Sequence, residues 1–125
     1  MNKIAVIITT PPTSHLTKTA LQFVEDAAEQ FNVLGIFFYQ SGVLNAARNI
    51  DISSDEVNIA KQWSTFAHQR NIPMHLCSTA AERFGLTCYL QDGQPAKNTL
   101  QDGFQPSGLG ELVTLMNNAD KVVQL

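Results

Sequence analysis

The sequence predicts a three-layer α/β/α fold with a mostly parallel β-sheet, in one domain that spans residues 1–125. Short apolar runs rich in Val, Ile and Phe alternate with stretches in which apolar residues recur every three or four positions. Runs such as residues 4–8 are continuously apolar, which is typical of strands buried on both faces of a parallel sheet. A chain of 125 residues without a repeat or a linker suits a single core between two helical layers.

The first half of the chain predicts a right-handed strand–helix–strand unit. Residues 3–9 form the first strand, and residues 33–39, with Gly35 inside, form the second. A helix over residues 14–30 connects them, and residues 42–47 leave the second strand as a helical turn. The buried face of the helix is predicted from apolar spacing and consists of Leu16, Ala20, Phe23, Val24, Ala27 and Phe31.

A second helix is predicted over residues 54–69, where Ser53 and Glu56 have the spacing of a capping box. Its apolar surface covers two adjacent sides of the helix, formed by Val57, Ala60, Ser64 and Ala67 and by Ile59, Trp63 and Phe66. A surface of this width indicates either one broad core face or a core face together with a contact to a partner.

The second half predicts a third strand over residues 74–77, a short helix, and a final helix followed by a strand over residues 120–125. Residues 87–104 are the least regular part and predict a surface loop that is functional or mobile. The last helix is predicted to bury a stripe of apolar residues, which are Leu109, Leu112, Val113 and Met116.

Cys77 lies where the third strand is predicted to end and the short helix to begin. Pro73 fits the first residue of a strand, and Gly85 is a typical helix terminator. Thr79 and Glu82 have the spacing of a capping box, which predicts a helix start just past the cysteine. Open α/β sheets bind ligands at the carboxyl ends of strands, and a helix amino terminus favours a thiolate. The sequence therefore predicts a functional Cys77, with a buried packing residue as the alternative.

Three neighbours suggest other chemistry for Cys77. Arg83 completes the Cys-x5-Arg spacing of phosphotyrosine phosphatases, but the residues between are helix formers and end in Glu82, whose carboxylate repels phosphate. His75 shares a strand face with Cys77 and could polarise the thiol, although a hydrogen bond to a neighbouring residue is the preferred interpretation. Cys88 could resolve an oxidised Cys77, but a packing or incidental role is favoured.

Composition and spacing argue against several classes of ligand. The formal net charge is −3 without a basic run, so we expect no direct binding of nucleic acid. His15 and His68 have no partner at metal-ligand spacing, and the loop at residues 9–14 lacks the glycines of a phosphate-binding loop. No cofactor and no metal are therefore predicted.

The same sequence predicts a cytoplasmic protein. No apolar run approaches the roughly 20 residues that span a bilayer. The amino-terminal residues run directly into a strand and lack the layout of a signal peptide. Two cysteines do not form a disulfide framework, which favours a reducing compartment.

Several stretches, matched in order along the whole chain, resemble one known family. They are residues 4–9, Phe37-Phe38-Tyr39 with Gly42-Val43 and Asn45-Ala46, Ser54-Asp55-Glu56, Trp63, Cys77 with Ala80-Ala81 and Arg83, Gly103-Phe104 with Ser107-Gly108-Leu109-Gly110, and residues 120–124. The chain thereby resembles the DsrE/TusD family of small sulfur-relay proteins. Residues 10–15 and 87–99 depart from the family pattern.

This resemblance implies a sulfurtransferase in which Cys77 is the catalytic residue and carries sulfane sulfur as a persulfide. It implies a cytoplasmic heterohexamer with related small subunits, which takes sulfur from a donor protein and passes it to an acceptor protein, towards 2-thiouridine at the tRNA wobble position. Other relatives act in sulfur oxidation. The physical reasoning agrees, because sulfur transfer is thiol exchange and needs one exposed, reactive cysteine without a metal or a nucleotide.

Three other hypotheses are compatible with the sequence. The chain could be a non-catalytic scaffold that holds related subunits together, which makes Cys77 dispensable. It could be a redox switch that pairs Cys77 with Cys88. It could also be a nucleotide-binding module, although the sequence offers only a weak signal for one.

Overall fold

The computed structural model describes residues 2–48, 58–86 and 100–125. The strands in these ranges are β1 (Lys3–Ile8), β2 (Asn32–Phe38), β3 (Met74–Cys77), β4 (Phe104–Ser107) and β5 (Lys121–Gln124). They form one parallel sheet in the order β4-β3-β2-β1-β5. The helices are α1 (His15–Gln30), α2 (Ile59–Arg70), α3 (Ser78–Arg83) and α4 (Leu109–Asn118), and a 3-10 helix (Gln40–Ala46) follows β2. The predicted α/β class and parallel sheet are confirmed.

β4 is a strand that the sequence pattern does not predict. This strand has only four residues and includes Pro106. Proline cannot donate a hydrogen bond to a neighbouring strand and is therefore confined to sheet edges or strand starts. β4 is an edge strand, and Pro106 pairs with Leu76 in register. The prediction that the chain passes from a loop directly into the last helix is therefore wrong.

Helices cover both faces of the sheet. The connections β1–α1–β2 and β4–α4–β5 run in opposite directions across the sheet, so right-handed crossovers place α1 and α4 on opposite faces. Gly35 lies on the α4 face, where an added Cβ would meet Leu115 Cδ2 at 3.0 Å. The glycine predicted inside the second strand thus lets α4 approach the sheet closely.

The core on the other face is built around Trp63 of α2. Its indole is fully buried and meets the Phe38 ring edge-on, with 5.2 Å between ring centroids. Phe38 also packs against Phe104 of β4 at 5.1 Å. Ile59 and Phe66 of α2 are buried as well. The described part of this helix therefore uses its broad apolar surface as a core face, which favours that interpretation of its width, and Val57 lies outside the described residues.

α2 begins later than residue 54, the predicted start. Asn58 has an extended backbone, and its side chain accepts a hydrogen bond from the Lys61 N–H at 3.1 Å, so it acts as the N-cap of a helix that begins at Ile59. The predicted capping box of Ser53 and Glu56 lies outside the described residues.

The buried face of α1 is rotated from its predicted position. Leu16 and Phe23 are 68% and 40% exposed, whereas Thr17 and Leu21 are buried. Thr17 can be buried because its hydroxyl donates to the Pro11 carbonyl and pairs with the Thr10 hydroxyl. Apolar spacing alone overlooks a threonine that satisfies its own hydrogen bonds.

The predicted buried stripe of α4 is largely exposed. Leu109, Val113 and Met116 are 51%, 54% and 44% exposed, and Leu112 is half-buried. Leu115, against Gly35, is the buried residue of this helix.

Within the described ranges, no helix combines the length and the hydrophobicity needed to cross a bilayer.

Candidate functional site

Cys77 is the last residue of β3 and the N-cap of α3, which confirms its predicted position at a strand–helix junction. Its backbone is still extended, with φ −63° and ψ 112°. The residue forms no disulfide and is only 5% exposed. The expectation of an exposed cysteine is therefore wrong. β3 is flanked by β2 and β4, and the 3-10 helix packs against both β3 and α3, so the strand end is covered.

The predicted capping box of Thr79 and Glu82 is not formed. α3 begins at Ser78, so Thr79 lies inside its first turn, and Cys77 takes the N-cap position without a side-chain capping bond. Gly85 ends this element as predicted. Its φ of 74° is in the left-handed region, and its N–H donates to the Glu82 carbonyl at 2.9 Å.

β4 brings Ser107 beside Cys77. The strand register pairs Cys77 with Ser107 and His75 with Gln105. His75 Nδ1 lies 3.0 Å from Ser107 Oγ, which confirms the preferred interpretation of His75 as a residue hydrogen-bonded to a neighbour. Sequence reasoning did not assign Ser107 to the site, because recognising the contact requires β4 and its register.

His75 is a buried imidazole, 8% exposed. Burial lowers the pKa of His75 below its ordinary value, and the carboxylate of Glu111 in α4 opposes this shift. His75 is therefore neutral near pH 7, with one ring nitrogen as a hydrogen-bond donor and the other as an acceptor. A neutral imidazole can either donate to the Ser107 hydroxyl or accept from it.

The 3-10 helix forms a wall of the Cys77 site and is held by Asn45. The Asn45 amide donates to the carbonyls of Thr10 and Gly42 at 2.8 and 2.9 Å. Its oxygen accepts from the Trp63 indole N–H at 3.1 Å. Asn45 is fully buried, so these bonds satisfy a side chain that would otherwise be costly to bury. Asn45 and Trp63 are therefore residues of the site's framework.

The remaining candidates lie away from a common site or outside the described residues. The phosphatase hypothesis is wrong, because residues 78–83 form an α-helix and cannot wrap a phosphate. Arg83 is exposed, as are His15 and His68. Across the described ranges, no three His, Cys, Asp or Glu side chains cluster as metal ligands. Cys88, and with it the hypothesis of a Cys77–Cys88 switch, lies outside the described residues.

The fold and the site define a class of small α/β proteins with a cysteine buried at the carboxyl end of an inner parallel strand. The model of the DsrE/DsrF-like family matches residues 2–125, and the chain belongs to this family. The chain is also similar in fold to a solved structure, the ychN protein from E. coli. The TM-score is 0.79 with 24% sequence identity, over 100% of both chains.

Curated relatives carry a functional name. The chain is 37% identical over 107 residues to a protein of Haemophilus influenzae named sulfurtransferase TusD homolog, covering 85% of each chain. It is 39% identical over 109 residues to sulfurtransferase TusD of Sodalis glossinidius, covering 85% of this chain and 84% of that protein. These names agree with the activity that the DsrE/TusD resemblance implies.

Proposed function

We propose that this chain is a sulfurtransferase of a sulfur relay that accepts sulfane sulfur as a persulfide on Cys77. The observation that carries the proposal is the similarity, along most of the chain, to proteins named sulfurtransferase TusD. The position of Cys77 supports its role as the catalytic residue, because it ends β3 at the junction with α3 and forms no disulfide, so its thiol is available for exchange.

Loading of Cys77 is a thiol–disulfide type of exchange. The Cys77 thiolate attacks the outer sulfur of a donor persulfide and forms a new S–S bond with its own electron pair. The donor's S–S bond breaks, and its electron pair leaves on the inner sulfur as a thiolate. An acceptor thiolate later attacks the outer sulfur on Cys77 in the same way. Atoms and electrons balance in both steps without an added oxidant or reductant.

The burial of Cys77 favours delivery by a protein partner. A sulfur that is 5% exposed offers little surface to small thiols, which would otherwise strip the persulfide by the same exchange. A partner that docks over the junction can present its own cysteine in a fixed orientation. The donor and the acceptor are therefore proteins in this proposal, and the relay operates in the cytoplasm towards 2-thiolation of the tRNA wobble uridine.

The exposed apolar stripe of α4 supports assembly with related small subunits into a heterohexamer. Leu109, Val113 and Met116 recur at helical spacing and are each at least 44% exposed. An apolar stripe of this kind is typical of a surface that another subunit covers. A complex assembled through this stripe would hold Cys77 in reach of the donor and acceptor proteins.

A non-catalytic scaffold is the second candidate, favoured by the same stripe and by the burial of Cys77. It predicts that Cys77→Ser preserves function, whereas a charge placed in the α4 stripe abolishes assembly. The sulfurtransferase proposal predicts that both changes abolish sulfur transfer.

Intact-mass spectrometry tests the proposed function directly. The protein is incubated with a cysteine desulfurase and cysteine, with and without a small sulfur-carrier protein. Wild type is expected to gain the mass of one sulfur atom, and Cys77→Ser is expected to gain none. Absence of the gain in wild type, even with the carrier present, would favour the scaffold.

A further inference from the structure

The hydrogen-bonded pair of Ser107 and His75 lies beside Cys77 and has no part in the proposed exchange. Cys77 and Ser107 are register partners in adjacent parallel strands, so their side chains point to the same face of the sheet. His75 lies two residues before Cys77 and shares that face, as its hydrogen bond to Ser107 requires. The three side chains therefore converge at the carboxyl end of β3 and β4.

We propose that Ser107 binds the outer sulfur of a persulfide on Cys77, and that His75 is a positioning residue that holds the Ser107 hydroxyl for this contact. The inference rests on the proposed function, because the outer sulfur exists only when Cys77 carries it.

The distances favour a contact that forms only after loading. Ser107 Oγ bonds to His75 Nδ1 at 3.0 Å and to the Gln105 carbonyl at 3.4 Å, and within the described part of the chain no hydrogen bond joins it to Cys77. Neighbouring strands lie about 4.8 Å apart. A second sulfur extends the cysteine side chain by about 2 Å. The outer sulfur can thus reach a hydroxyl that the thiol does not.

The hydrogen-bonded pair of Ser107 and His75 can donate a hydrogen bond to an anionic sulfur. The Ser107 hydroxyl has a single proton, which it gives to His75 Nδ1 when that nitrogen is unprotonated. When His75 is the Nδ1–H tautomer, the imidazole donates to Ser107 Oγ, and the hydroxyl proton can turn from its other acceptor, the Gln105 carbonyl at 3.4 Å, to the sulfur anion. His75 can take either form without changing its charge. A hydrogen bond to an ionised acceptor is roughly twice as strong as one between neutral groups.

The test measures the equilibrium constant for sulfur exchange between Cys77 and the persulfidated form of the small sulfur-carrier protein, because Cys77 is too buried for a small persulfide to reach it readily. Intact-mass spectrometry reads the loaded fraction of the full chain. Ser107→Ala removes a bond made only in the loaded form, so the constant is expected to fall by roughly tenfold or more. Ser107→Thr keeps the hydroxyl and is expected to stay within about threefold of wild type. Gln105→Ala, at an exposed position on the same edge strand, is the matched control and is expected to leave the constant unchanged.

His75 is tested through the same constant. His75→Leu removes the partner of Ser107 and is expected to lower the constant, though less than Ser107→Ala, because the hydroxyl remains. His75→Asn places an amide near the position of Nδ1 and is expected to recover part of the loss. A purely structural role for His75 would not distinguish Leu from Asn once both variants are shown to fold by thermal unfolding.

Two outcomes separate this inference from the proposed function. If folded Ser107→Ala loads with the wild-type constant, the inference is overturned, while the persulfide on Cys77 stands. If wild type gains no sulfur, the proposed function fails, and the inference fails with it. Should Ser107→Ala not fold, Ser107→Val against Ser107→Thr gives the same comparison at nearly equal side-chain volume.

Discussion

Gly42 shows at the residue scale how closely the 3-10 helix packs against the end of β1. A Cβ at this position would lie 2.1 Å from the Ile8 carbonyl oxygen, which is far inside van der Waals contact. The Gly42 N–H donates to the Tyr39 carbonyl, and its own carbonyl accepts from Asn45. Gly42 is therefore required by the close packing of the 3-10 helix on the end of β1. This packing explains the glycine without a direct role in the chemistry.

Gly42→Ala is expected to lower the free energy of unfolding by about 2–3 kcal/mol, because the backbone of β1 or of the 3-10 helix must move. Gly110→Ala is the matched control, since a Cβ there meets nothing within 4 Å. Alanine in the first turn of α4 is expected to leave stability unchanged or to raise it by up to about 1 kcal/mol. Urea denaturation measures both variants, and equal effects would contradict the packing argument.

His75 makes stability depend on pH in a defined direction. Burial lowers its pKa in the folded protein, so below the ordinary histidine pKa of about 6.5 the unfolded chain binds the proton more readily. Stability from this residue is therefore full above that value and falls as the pH decreases towards the folded-state pKa. The carboxylate of Glu111 reduces the size of the effect, because it favours the protonated imidazole.

His75→Asn is accordingly expected to flatten the loss of stability between about pH 7.5 and about pH 5, because asparagine does not titrate. His68→Asn, at an exposed position of α2, serves as the control and is expected to leave the slope of wild type intact. The measurement is the midpoint of urea unfolding across this range. A slope that is the same in wild type and His75→Asn would show that His75 does not carry the effect.

At the scale of elements, the two sides of α4 have different surroundings. Leu115 packs against the sheet at Gly35, whereas Val113 faces outward with 54% of its surface exposed. An apolar periodicity covers both sides, so the sequence pattern alone assigns the whole stripe to the core. The exposed side adds little to the stability of the isolated chain and is available for a subunit contact.

Val113→Glu is expected to change the free energy of unfolding of the isolated chain by less than about 0.5 kcal/mol, since the side chain is exposed. It is expected to prevent assembly, because a buried, unpaired carboxylate at the interface is costly. Leu115→Ala is expected to cost about 2–5 kcal/mol, because it opens a cavity against the sheet. Unfolding curves and size-exclusion chromatography with related subunits separate the effects. Assembly unchanged in Val113→Glu would remove the stripe from the interface.

Elements with strong periodicity were predictable from the sequence, and the contacts between them were not. The parallel class followed from continuously apolar strands such as residues 4–8, and the junction at Cys77 followed from Pro73 and Gly85. β4 was not predicted, because a proline-containing edge strand has no distinctive sequence pattern. Without its register, the approach of Ser107 to Cys77 could not be inferred, since parallel pairing joins residues far apart in the chain.

At the scale of the whole molecule, Cys77 does not use the ligand crevice typical of open α/β sheets. In the order β4-β3-β2-β1-β5, the chain reverses direction between β1 and β5, which is where such a crevice forms. There Thr9 closes the gap, because both its N–H and its hydroxyl donate to the Leu125 carbonyl, at 2.9 and 3.1 Å. Cys77 lies two strands away on β3. This arrangement favours sulfur chemistry at a strand end over nucleotide binding at the switch point.

The depth of Cys77 in the fold leads to a last prediction about access. A sulfur that is 5% exposed lacks the open approach that a small alkylating reagent needs, so native Cys77 is expected to react with iodoacetamide at least about tenfold more slowly than in urea-unfolded protein. Peptide mapping after a timed quench assigns the label to Cys77, and a cysteine-containing peptide in each solvent corrects for the reagent's own rate. If Gly42→Ala loosens the wall formed by the 3-10 helix, labelling of Cys77 should accelerate in that variant and not in Gly110→Ala. Native labelling as fast as that of the unfolded chain would mean that small thiols reach Cys77 freely, and delivery of sulfur would then not require a docked protein.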